Sequence, residues 1–180
     1  MNDAEIVEAL RLKLGQPGGR HLYGVLGTYR RLADFSKTFQ QARTVEGERF
    51  PPPLSLSQLI LAEIPDERFR ELVADEAKRP EPVARHVGQA FESVLRKRLR
   101  GKGLVVFEGL EILFAYGLEL NLLRTMAADS DRVLLLLPGH RRGNAIVLYP
   151  GDEEGAYTLP TNLIAGDHLW ELRARATEKA

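Results

Sequence analysis

The chain has 180 residues, 25 basic and 25 acidic side chains, 44% hydrophobic residues and no cysteine. Length and composition fit one globular domain, 1–180, able to bury roughly 70% of its unfolded surface without a covalent staple. Zero formal charge argues against a bulk electrostatic nucleic-acid binder but not against a local basic patch, and the lack of cysteine excludes disulfides, thiol nucleophiles, iron–sulfur clusters and cysteine zinc sites.

Ile6, Val7, Leu10 and Leu14 fall at helical spacing, so a helix is expected over Asp3 to Leu14, with Asn2 or Asp3 as its cap. The glycines and proline of Gly15 to Arg20 end it. His21 to Gly27 reads as a short strand. Thr28 then caps a second helix to about Ala42, with Leu32, Phe35 and Phe39 on its inner side. Arg43 to Pro53 is polar and closes on three prolines. Leu54 to Ile64 fits either strand or helix. A charged helix is expected from Pro65 to about Lys78 with Phe69, Leu72 and Val73 inside, and Pro80-Glu-Pro82 should stop it. The strongest helical pattern follows, Val83 to Arg100, with Gly101 at its end.

The composition then changes. Gly103 to Phe107 and Arg132 to Leu137 are continuous apolar runs, with a leucine-rich helix expected between them over Gly117 to Met126. Runs without alternation signal strands covered on both faces. The reading is therefore an α/β fold: three layers, a mostly parallel sheet with helices on both faces, resembling a degenerate P-loop fold. Ala145 to Tyr149 and Ala156 to Leu159 should form a C-terminal hairpin around a polar turn. A last helix is expected from Asp167, carrying Leu169, Trp170 and Leu172.

Ligands of open α/β sheets bind beyond the carboxyl ends of the strands, and three such ends stand out. Gly24, Gly27 and Thr28 lie where a phosphate loop would, and a residual anion or nucleotide site is one reading. A true loop needs Gly-x4-Gly-Lys-Ser/Thr, whereas the first lysine after Gly27 is Lys37. A tight turn also asks for glycine. Glu108 closes an apolar strand as a magnesium-positioning acid does, although any buried strand must end on something polar. Pro138, Gly139, His140, Arg141 and Arg142, running to Gly143, read as a glycine-bounded loop and a partner contact. Arg96, Lys97, Arg98, Arg100 and Lys102 could touch phosphate or DNA, and helix C-termini attract basic residues in any case. The four histidines, His21, His86, His140 and His168, show no metal-ligand spacing, and no cofactor is expected. No run reaches the ~18 apolar residues of a membrane helix. Met1 to Glu5 lacks the basic, then apolar, start of a secretory signal, so a cytoplasmic location is expected.

Val105 to Phe114 (VVFEGLEILF), a leucine-rich segment, Val133 to Gly139 (VLLLLPG), Gly143 to Tyr149 (GNAIVLY) and Tyr157 to Pro160 (YTLP) occur in that order. This part, roughly Gly103 to Ile164 and about a third of the chain, resembles the small accessory proteins of BREX bacteriophage-defence systems. The nearest similarity is to the BrxB family, and BrxF proteins share the layout behind a true P-loop. This sequence has His140-Arg141 where the family pattern has an acid and an aromatic, and it lacks the loop lysine. The resemblance implies a non-enzymatic interaction protein that binds a PglZ-type, alkaline-phosphatase-like partner in support of host DNA methylation and phage restriction. The alternatives are a divergent nucleotide-binding ATPase using Gly24 to Thr28 and Glu108, and a DNA-contacting subunit using Arg96 to Lys102.

Overall fold

The computed structural model describes residues 1–76, 80–101, 103–149, 156–160 and 162–173. Helix α1 (Asp3–Leu14) opens on a capping box. Asn2 accepts from the Glu5 amide, and the Glu5 carboxylate accepts from the Asn2 amide. Strand β1 (Leu22–Gly27) follows and is buried throughout, then α2 (Tyr29–Gln41). The ambiguous segment resolves into both alternatives: a two-residue strand β2 (Leu54–Ser55), then α3 (Leu56–Glu63), started by the Ser55 side chain. Next come α4 (Asp66–Glu76), α5 (Pro80–Leu99), β3 (Leu104–Glu108), α6 (Glu111–Ala115) and α7 (Asn121–Met126). Strand β4 (Arg132–Arg142), β5 (Ala145–Leu148), β6 (Tyr157–Leu159), a 3-10 turn (Gly166–His168) and β7 (Leu169–Glu171) complete the described chain.

Five strands form a parallel array in the order β2-β3-β4-β1-β7. Helices cover both faces. From β4, Leu134 and Leu136 enter a core shared with Ile6, Val7 and Leu10 of α1 and Leu32, Phe35 and Phe39 of α2. Val133, Leu135 and Leu137 enter the opposite core, with Ile60 of α3, Phe91 and Leu95 of α5, Leu113 of α6 and Leu123 of α7. This is why the apolar run has no alternation. Each such buried leucine contributes about 2 kcal/mol relative to an exposed one. The outer half of β4 pairs antiparallel with β5, and β5 with β6, giving the expected hairpin plus one more strand. The polar turn expected inside that hairpin, 150–155, lies outside the described residues. Among the described residues no helix is long and apolar enough to cross a membrane.

Four expectations need correction. The leucine-rich helix does not start at Gly117. Gly117 (φ 64°) ends α6 instead, with the Leu118 amide bonded to Leu113 O at 2.7 Å and the Gly117 amide to Phe114 O at 3.0 Å. That pair of bonds is a Schellman stop, and only Asn121–Met126 is helical beyond it. Pro80 and Pro82 lie in the first turn of α5, which therefore opens before the expected Val83, at positions where their missing N–H groups cost nothing. Of the three α4 residues expected inside, Leu72 is buried, whereas Phe69 and Val73 are exposed. The segment after Asp167 is a strand rather than a helix. Leu169 faces one core and Trp170 the other, and the β1 backbone, unpaired on that side, takes 169–171 as its partner.

Candidate functional site

At the carboxyl end of β1 a single residue, Thr28, separates the strand from α2. Its hydroxyl accepts from the Arg31 amide at 3.2 Å and its carbonyl from the Leu32 amide at 2.9 Å. A phosphate cradle needs several successive amides wrapped around the anion, and one residue cannot supply them. Gly24 and Gly27 are explained by packing. A Cβ on Gly24 would sit 2.7 Å from Leu169 Cδ1 and 2.9 Å from Ile164 Cδ1, and one on Gly27 would sit 3.1 Å from Leu172 Cδ1. Arg31, the first cation of α2 to be buried, is already spent on partners of the chain. It donates to Asp3 Oδ1 at 2.7 Å and to Arg173 O at 3.2 Å.

Tyr149 lies across the strand ends. Its amide donates to Pro138 O at 2.8 Å, and Pro138 is the residue of β4 paired with Gly27 of β1. Its ring contacts those of Tyr29 (centroids 6.3 Å), Phe114 (5.9 Å) and Tyr157 (6.2 Å). The backbone is left-handed there (φ 52°), a conformation that a non-glycine residue holds at some cost. Its hydroxyl is buried and finds no acceptor for its proton. Burial, then the Glu111 carboxylate and Tyr29, push this phenol far above the ordinary tyrosine value, and the nearby Leu110 amide acts in the opposite direction. Beside it the Tyr29 hydroxyl donates to Glu111 Oε1 at 3.3 Å. Burial and that carboxylate raise the Tyr29 pKa as well. Glu108 ends β3 opposite Ser55, exposed. The crevice therefore presents two carboxylates and two phenols, a poor reception for polyphosphate. Tyr149→Phe is expected to stabilise the protein by about 1 kcal/mol, because it removes a buried hydroxyl that lacks an acceptor. A denaturant titration checks it, and a loss of stability would mean that the hydroxyl is satisfied.

The third strand end is not a loop. Pro138 to Arg142 continue β4 as strand, with Gly139 opposite Leu148 and Arg142 opposite Ala145. The continuation exists because β5 supplies a partner where β1 has ended. Arg141 is clamped toward β7, its Nη2 donating to Leu169 O at 2.9 Å and its amide to Glu171 Oε1 at 3.4 Å. His140 and Arg142 are exposed. The basic segment is also partly spent. Arg96 pairs with Glu92, and Lys97 pairs with Glu63, which also accepts from Ser93 Oγ at 2.8 Å. Lys97 and Ser93 together hold the Glu63 carboxyl below its ordinary value. Arg98 and Arg100 are exposed, and Lys102 lies outside the described residues.

Sequence reasoning missed Tyr149 and Tyr29. Nothing in their spacing marks them, since they meet only through the pairing of β1, β4 and β5. Among the described residues no group of three or more His, Asp or Glu side chains is placed to hold a metal ion. Away from the strand ends, a cavity of about 470 Å³ between the α6–α7 connection and β6 is lined by Phe114, Leu118, Leu120, Tyr157, Leu159 and Leu163 among others. No family model matches the chain, and no curated protein or solved structure matches it.

Proposed function

We propose that the chain is a non-enzymatic interaction module: a P-loop-like α/β sheet whose nucleotide position has been closed and whose outer surfaces dock a larger protein. The observation that carries this reading is Tyr149, which lies over the carboxyl end of β1, bonded to Pro138 of β4, above a one-residue strand-to-helix join. The strand order supports the P-loop-like layout, with glycine-ended β1 inside the sheet and β3 ending on Glu108. The β4–β5–β6 extension, with exposed His140 and Arg142 and a cavity of mixed polar and apolar lining beside β6, is suited to protein contact. The first partner to test is the one the sequence resemblance implies, a PglZ-type, alkaline-phosphatase-like protein of a BREX-type phage-defence system.

Titration of the purified chain with ATP and magnesium should give no binding heat up to millimolar nucleotide, while a PglZ-type protein encoded beside it should co-purify with it at micromolar concentration. Nucleotide binding that disappears in Glu108→Gln would replace this reading with a divergent ATPase. Failure of every such neighbouring protein to co-purify would remove the partner.

A further inference from the structure

The amino end of β1 holds a buried polar cluster that the docking role does not use. His21 is only 2% exposed. Its amide donates to Ala127 O at 2.8 Å and its carbonyl accepts from the Val133 amide at 2.9 Å, so the residue is pinned. Nδ1 lies 2.7 Å from the Tyr23 hydroxyl, and Nε2 is buried. The Tyr23 ring contacts that of His168 (4.7 Å) and stacks on that of Trp170 (6.0 Å, 15°). Trp170 is the chain's one tryptophan; it is 8% exposed and sits opposite Val25 in the β1–β7 pair.

The charged neighbours decide what a proton would do here. Arg132 of β4 faces His21, as do His168 from the 3-10 turn and Asp129 from the segment after α7. Arg20 adjoins it in the chain, exposed. His168 is faced by Asp167 and by Lys13 of α1, which pair with one another. A proton on His21 places a second cation near Arg132, opposed by the Asp129 carboxylate and the Gly18 backbone, while Nε2 itself makes no hydrogen bond of ordinary geometry. Burial, then Arg132, keep the His21 pKa below the ordinary imidazole value against the Gly18 backbone and Asp129, and burial lowers that of His168 against Asp167 and the Leu22 backbone. Both histidines thus bind protons more readily once released. The stability they contribute is complete above about pH 6.5 and is lost as pH falls through their depressed folded values. Strand β7 is a short edge element in contact with the cluster, held besides β1 by Arg141 Nη2 on Leu169 O and by the Met1 ammonium on Glu171 O. It has three residues and pairs, among the described strands, with β1 alone. Such short edge elements open at lower cost than the sheet interior.

We propose that His21, Tyr23 and His168 form an acid-sensitive clasp on β7: proton uptake releases this strand and Trp170 from β1 while the β2-β3-β4-β1 array stays folded. Release leaves the β1 backbone from Gly24 to Leu26 without its outer partner. The inference stands independently of the docking role.

The full chain is followed from pH 8 to pH 4 by Trp170 emission and far-UV circular dichroism in parallel. The expected result is a red shift of emission beginning below about pH 6.5, with most of the far-UV signal retained at its midpoint. In His21→Gln, which keeps a polar group toward Tyr23 but does not titrate, the emission transition should move to lower pH or vanish. The same midpoint in His21→Gln and wild type would overturn the proposal. So would emission and far-UV signals that change together, which marks global acid unfolding. The wild-type pair of curves decides this second point whether or not the variant folds.

Discussion

Gly139→Ala is expected to destabilise the protein by about 3 kcal/mol, the upper end of ordinary overpacking. A Cβ at this position would stand 2.3 Å from Val147 O, 2.8 Å from Leu148 Cδ2 and 3.0 Å from Leu148 Cα. Two of these three atoms belong to the backbone of β5, so no rotamer change relieves the clash. The strands must separate just where β4 leaves β1, whose last pair is Gly27 with Pro138, and takes up β5. Gly143→Ala is the contrasting variant. Gly143 has φ 61° and open space around it, so the expected cost is only the left-handed strain, about 1 kcal/mol. Chemical denaturation of both variants checks the pair. A Gly139→Ala protein no less stable than Gly143→Ala would show that β5 can yield. Loss of this junction should also displace Tyr149, which hangs from Pro138 O over the carboxyl end of β1.

Asp3→Ala is expected to cost about 2–3 kcal/mol, somewhat less than breaking a fully buried pair because Asp3 keeps partial solvent access. The Arg31 side chain is 7% exposed and that of Asp3 18%. Without the carboxylate, the guanidinium keeps the carbonyl of Arg173 as an acceptor for Nε, and Nη1 has no partner even in the wild type. A positive charge would then lie buried against the α1–α2 face. Arg31→Met in the Asp3→Ala background should restore most of the loss, because it removes the stranded charge and leaves an apolar side chain of similar reach. Asp3 also stands in the first turn of α1, where a carboxylate is favoured by about 0.5 kcal/mol. A double-mutant cycle separates the two contributions. Equal costs of Asp3→Ala with and without Arg31 would show that the pair contributes nothing.

The Thr28 cap, the helix over Val83 to Leu99 and the two unbroken apolar runs were all legible from residue order. Capping is a local hydrogen bond and burial on both faces leaves a local composition. The departures fall where a distant segment supplied a partner. His140 to Arg142 have the look of a soluble loop and became strand because β5 lies beside them. Leu169 to Leu172 fit a helical face as well as a strand, and the open edge of β1 decided between the two. Glu108 and the glycines were identified as candidates, yet the glycines proved to be spaces filled by Leu169, Ile164 and Leu172. The residue that lies over the end of β1, Tyr149, carries no signal in its own neighbourhood.

Sequence alone determined that this protein is a layered α/β sheet with no lysine to grip a phosphate at its first strand-to-helix junction, since periodicity, capping and side-chain chemistry are properties of neighbours in the chain. Tertiary structure decided which strands pair, which glycines are filled spaces and which aromatic ring occupies the strand ends. Those outcomes depend on backbone hydrogen-bonding groups and side-chain volumes from separate segments of the chain, and they come into competition only when the chain is compact.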